Sequence, residues 1–148
     1  MAKERPYIPA SGYSYIAINL AFIIIILLIF AYSFSYRNSN HLIPALLTEK
    51  TGIIPPSKGL SASFSEIVRG NFNEALTINL HSMRIFAFFA IQFILRGAIA
   101  GFIYAKHLNI KKTLVADITI SLALFIWCFL PLIRYTFLQI GGLLKQAF

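Results

Sequence analysis

YIAINLAFIIIILLIFAYSF, residues 15–34, carries no charge, and the uncharged run around it extends from Pro6 to Tyr36. In a helix rising about 1.5 Å per residue, a segment of this length crosses about 30 Å, the thickness of a bilayer's hydrocarbon core. Tyr13 and Tyr15 at one end, with Tyr32 and Tyr36 at the other, suit the two headgroup belts. The run is longer than a secretory h-region and no A-x-A site follows it. The segment is therefore read as a retained span and not as a cleaved leader.

Two further stretches repeat the pattern. MRIFAFFAIQFILRGAIAGFIYA, residues 83–105, is apolar apart from Arg84, Gln92 and Arg96. A third begins near Thr113, is uncharged and mostly apolar from Ile118 to Ile133, and ends around Arg134 or Tyr135. Pro131 lacks an amide hydrogen and is expected to kink or loosen the end of that helix. Gly141 and Gly142 are expected to break any continuation. The predicted fold class is an all-α integral membrane protein. One membrane domain over residues 1–148 holds spans at about 14–35, 83–105 and 113–135, with two short amphipathic interfacial helices between the first and second.

Composition agrees. Of 148 residues, 58% are hydrophobic and 12% charged, against about a quarter charged in soluble domains. A net charge of +8 raises a nucleic-acid partner, but the basic residues are scattered, form no stripe and fit no binding motif. Flanking of membrane spans accounts for them, and no nucleic-acid partner is expected. Weighting the short segments around Lys3, Arg5, Lys106, Lys111 and Lys112 puts the N-terminus inside, whereas the raw count of basic residues favours the opposite orientation. Cys128, the single cysteine, excludes an intrachain disulfide and is read as a buried, inert thiol.

Between the first two spans lies the most polar long stretch, PPSKGLSASFSEIVRGNFNEALTINLHS, residues 55–82. Leu60, Phe64, Ile67 and Val68 fall on one helical face. Ser63 and Glu66 have capping-box spacing, and Gly70 provides a left-handed stop. Asn71 is a candidate N-cap, with Glu74 three residues on, and Phe72, Ala75 and Leu76 make a second short apolar face. The result is two interfacial helices joined at a glycine corner and feeding the second span, with Glu66 and Glu74 expected in water.

This stretch resembles the signature of a bacterial membrane-protein family catalogued as domain of unknown function 2752. Pro56, Gly59 and Leu60, with Ser61 in a threonine position, match its start. Gly70, Asn71 and Phe72 match its turn, and Ala75, Leu76 and Asn79 its finish. Pro55 stands where that family has cysteine, Ala62 where arginine is usual, and Leu80 in place of a final proline. The resemblance covers about 25 residues and implies a small bacterial inner-membrane protein; it supplies no activity. Thiol chemistry through the motif cysteine is excluded by Pro55. A mitochondrial inner membrane would impose the same physics on the spans.

Polar residues inside the spans are the candidate functional groups. Arg96 costs about 2.5–3.5 kcal/mol at a helix centre, so it must meet protein, water or headgroups. Asp117, near the start of the third span, is within reach. Against that pairing, helical side chains lean toward their own N-terminus, which takes Arg96 away from the Asp117 end. Snorkelling, or an acid or phosphate from a partner, are the alternatives. Asn19 and Gln92 are candidates for interhelical hydrogen bonds. Ala90, Gly97, Gly101 and Ala105 form a small-residue ladder that lets another helix approach, whether from this chain or a second one.

His41, His81 and His107 show no metal-ligand spacing, and neither metal nor cofactor is expected. No nucleophile motif, phosphate loop or paired intramembrane carboxylates occur, so no catalytic residue is assigned and an enzyme is not expected. Two functions fit. The first is a non-catalytic accessory or structural subunit of a membrane protein complex, in contact with lipids and docked onto other integral membrane subunits. The second is a small homo-oligomeric transporter, channel or lipid-binding module with Arg96 facing an anionic route.

Overall fold

In the computed structural model the described residues are 10–35, 56–105 and 109–147, with side chains described as far as residue 139. All regular structure among them is α-helical: α1 Ala10–Ser35, α2 Leu60–Val68, α3 Phe72–Ile78, α4 Ser82–Ala105 and α5 Ile110–Ala147. Three helices are long and apolar enough to cross a membrane: α1, α4 and residues Ile110–Gln139 of α5. The chain is a multi-pass integral membrane protein. In lipid every backbone group must be satisfied within its own segment, which makes β-branched runs such as residues 23–26 helical despite modest helix propensity.

The central helix is α4, with α1 and α5 packed on it and α2 and α3 folded over one end. Under the short helices, Phe64, Ile67, Ala75 and Ile85 are buried together, backed by Phe86, Phe89 and Phe129. Aromatic rings set this packing. Phe64 meets Phe86 edge-on at 5.3 Å, Phe88 meets Phe129 edge-on at 5.3 Å, and Phe125 stacks on Phe129 at 4.7 Å. A smaller cluster, Tyr15, Ile99 and Ile103, lies toward the other end. Most remaining apolar side chains of α1 and α5 face outward, as expected when lipid is the solvent.

The third span departs from expectation. Its helix passes unbroken through Pro131 and through Gly141 and Gly142. Proline at 131 removes the amide that would bond the carbonyl of Trp127. Arg84 of α4 replaces it: Nη2 donates to that carbonyl, and the guanidinium lies 4.6 Å over the Trp127 ring. The freed acceptor is satisfied from the neighbouring helix, so the helix continues.

The glycine corner is present in full. Gly70 has φ +86°, and its amide and that of Asn71 bond back to the carbonyls of Ile67 and Glu66 at 3.0 and 2.9 Å. Gly59, also left-handed at φ +78°, precedes α2, so the helix starts a turn before the Ser63 capping box. One reading needs correcting. Glu66 is buried, accepting from Asn71 Nδ2 at 2.7 Å with Arg69 4.0 Å away. The second apolar face keeps its form: Ala75 is buried against α2 and α4, while Phe72 and Leu76 face outward, as an interfacial helix requires. Tyr36, His41, Pro55 and His107 lie outside the described residues.

Candidate functional site: a polar cluster between the spans

Each span contributes one pair of polar residues spaced i, i+4: Tyr15 and Asn19 on α1, Gln92 and Arg96 on α4, Asp117 and Ser121 on α5. That spacing puts both members of a pair on one helical face. The spans alternate in direction, so the start of α1, the end of α4 and the start of α5 share a side. Counting about 1.5 Å per residue from those ends, Tyr15 lies about 8 Å deep, Asp117 about 11 Å, and Asn19 and Arg96 about 14 Å. By the same count Ser121 lies about 17 Å deep and Gln92 about 20 Å, so the three helices bring their polar groups into one band about 12 Å thick.

Arg96 is the hub. Nη1 donates to Asp117 and to Asn19 Oδ1 at 3.3 Å. Nη2 donates to Ser121 Oγ at 2.8 Å and Gln92 Oε1 at 3.0 Å, and Nε donates to Gln92 Oε1 at 3.2 Å. These five bonds use every N–H of a guanidinium. The Phe22 ring lies 5.3 Å from its central carbon, within cation–π range. Asp117 is equally engaged: one oxygen accepts from Arg96 and the Tyr15 hydroxyl, the other from Ser121 at 3.2 Å. Asn19 anchors to the Tyr15 carbonyl at 2.8 Å.

The N-terminal lean of Arg96 does not prevent the ion pair. It carries the guanidinium back over Gln92, its own i−4 neighbour, and the length of the side chain still spans to Asp117. Tyr15 is not a headgroup-belt residue; it is buried and ties α1 to α5 through Asp117. In the sequence Tyr15 and Ser121 have no place in a polar cluster, Tyr15 being read as a belt residue, and Phe22 is not singled out. A polar residue one helical turn from Asn19 and from Asp117 is the signal that finds the first two.

The small-residue ladder lies elsewhere. Gly97, Gly101 and Ala105 are exposed and Ala90 half-buried, on the face of α4 roughly opposite Gln92, Arg96, Ile99 and Ile103. A methyl group placed on Gly97 or Gly101 would meet no neighbouring atom within 4 Å, so no described helix of this chain packs there.

The loop motif acts as a structural clasp. Asn79 Nδ2 donates to the carbonyls of Pro56 at 2.7 Å and Lys58 at 2.8 Å, while its Oδ1 accepts from the His81 amide at 2.8 Å. Its own carbonyl accepts from the Ser82 hydroxyl at 2.7 Å. One buried side chain thereby joins the start of α2 to the start of α4. Gly59 lies against Ile78, where a Cβ would stand 2.9 Å from Cγ2. Asn71 precedes α3 but spends its side chain on Glu66, and Phe72 beside it is exposed.

Compared with protein-family models, curated proteins and solved structures, this chain matches none of them.

Proposed function

We propose that this protein is a non-catalytic integral membrane subunit that docks onto another membrane protein through the outer face of α4. The observation that carries this reading is the pair Gly97 and Gly101, exposed opposite the helix's own core with open space at each Cβ position. Glycine lowers helix propensity and offers lipid little surface. It is favoured in membrane helices where a second backbone approaches closely. The polar cluster supports the non-catalytic part of the reading, since Arg96 and Asp117 spend their hydrogen bonds on one another and on their neighbours. An anionic route past Arg96 has less to recommend it, because Asp117 already neutralises that charge and no guanidinium N–H remains. The resemblance of residues 55–80 to the domain of unknown function 2752 family belongs to the same proposal. Gly59, Gly70 and Asn79 would then be retained for the clasp and corner they build.

Mild solubilisation followed by sizing and mass determination tests this. The chain is expected to travel with other polypeptides, and Gly97→Leu with Gly101→Leu should release it without altering its thermal unfolding. A lone 16.6 kDa chain under the same conditions overturns the proposal.

A further inference from the structure

The inner side of α4 presents a different opportunity. Helices α1 and α5 both pack on α4, and between them runs a cleft of about 540 Å³, within the about 300–1,000 Å³ usual for small-molecule sites. Its walls are apolar, with Ile18, Phe22 and Ile25 on one side and Ile118, Leu122 and Phe125 on the other. The polar cluster forms part of its lining through Tyr15, Gln92, Arg96, Asp117 and Ser121.

Within that cluster one group is left over. Gln92 is 5% exposed, and its Oε1 accepts from Arg96, yet its Nε2 is buried with no hydrogen-bond partner. Turning the amide over would set its N–H groups against those of Arg96, so the network itself fixes this orientation. A buried amide donor without an acceptor is destabilising, the more so where lipid replaces water. The charges nearby sum to zero, one from Arg96 and one from Asp117, and every Arg96 N–H is committed. An anion entering the cleft would find no free cationic donor; the one uncommitted donor is the Gln92 amide, which a small shift of that side chain would have to turn to the cleft surface.

We propose that the cleft binds one neutral amphiphile, a hydrocarbon chain bearing a carbonyl oxygen, with that oxygen accepting from Gln92 Nε2 and the chain lying between α1 and α5. Ester-linked lipids and quinones share this chemistry. The inference is independent of docking through the outer face of α4.

The full chain in maltoside micelles, which contain no carbonyl, is photolabelled with the methyl ester of a diazirine-bearing palmitate. Labelling is expected to saturate and to map to residues 18–25 and 114–125. It should be displaced by unlabelled methyl palmitate or by decylubiquinone but not by hexadecane, and whichever carbonyl compound displaces better identifies the source. Gln92→Leu should weaken binding about tenfold, the factor equivalent to one hydrogen bond of about 1.4 kcal/mol. Leu122→Trp, which fills the cleft without touching the polar cluster, should abolish labelling, and Ile94→Trp on the outer face should not. Should Gln92→Leu fail to fold, the contrast between ester and hexadecane on the native chain still decides. Displacement by hexadecane equal to that by the ester overturns the proposal. So does label spread evenly onto the Ile94 face, or cross-linking of the cleft walls to another polypeptide in native membranes.

Discussion

Arg84 donates to the backbone carbonyl of Trp127, the acceptor that Pro131 leaves without its helical amide. The proline and the arginine are therefore thermodynamically coupled although they sit on different helices. Arg84→Leu alone should cost about 1–3 kcal/mol by stranding the carbonyl. In a Pro131→Ala background, where residue 131 supplies the amide, the same change should cost clearly less. Denaturation of the four variants in detergent measures the difference, and equal costs in both backgrounds would refute the coupling.

The Arg96–Asp117 pair should behave as a buried ion pair does. Asp117→Leu leaves an uncompensated guanidinium between the spans and should destabilise by about 3–5 kcal/mol. Arg96→Leu combined with Asp117→Leu should recover much of that loss, because neither charge then has to be desolvated. Tyr15→Phe removes one hydrogen bond to Asp117 and should cost only about 1 kcal/mol. Reversible unfolding in mixed micelles ranks the three. A double variant less stable than Asp117→Leu alone would contradict the account.

The two left-handed glycines should differ in tolerance. Gly70→Ala meets open space and carries only the backbone penalty of about 1–2 kcal/mol. Gly59→Ala adds the 2.9 Å approach to Ile78 and should be the more damaging. Protease susceptibility of the α2–α3 segment, compared between the two variants, checks the order.

Asn79→Asp retains the acceptor for the His81 amide and replaces two donations, to Pro56 and Lys58, with oxygen facing oxygen. It should therefore be no milder than Asn79→Ala. Thermal unfolding of both variants tests this, and a near-native Asn79→Asp would mean that the clasp contributes little.

Much of this architecture is legible in the residues themselves. The three spans follow from charge-free length, and the Gly70 corner follows from a glycine between two short apolar periodicities. Pro131 misleads because helix breaking is a property of the unmet carbonyl, and whether a neighbour meets it depends on Arg84, 43 positions away. Glu66 misleads for a similar reason: loop carboxylates are usually solvated, but the turn at Gly70 brings Asn71 back onto it. The polar cluster sits between these cases. Its members are visible singly as costly residues in apolar runs, whereas their meeting in one band depends on where each helix starts and ends. The small-residue ladder is legible as a pattern, yet which way it faces is set by how α1 and α5 pack on the other side of α4.

The hub position of Arg96 also bears on how the polypeptide enters its bilayer. Its carboxylate partner is synthesised 21 residues later, while Asn19 emerges 77 residues earlier. A nascent chain that has delivered α4 but not α5 thus presents the insertion machinery with an arginine whose ion-pair partner Asp117 is still inside the ribosome. Helices α4 and α5 are accordingly expected to partition as a hairpin, and a chain truncated after Ala105 should integrate its second span poorly.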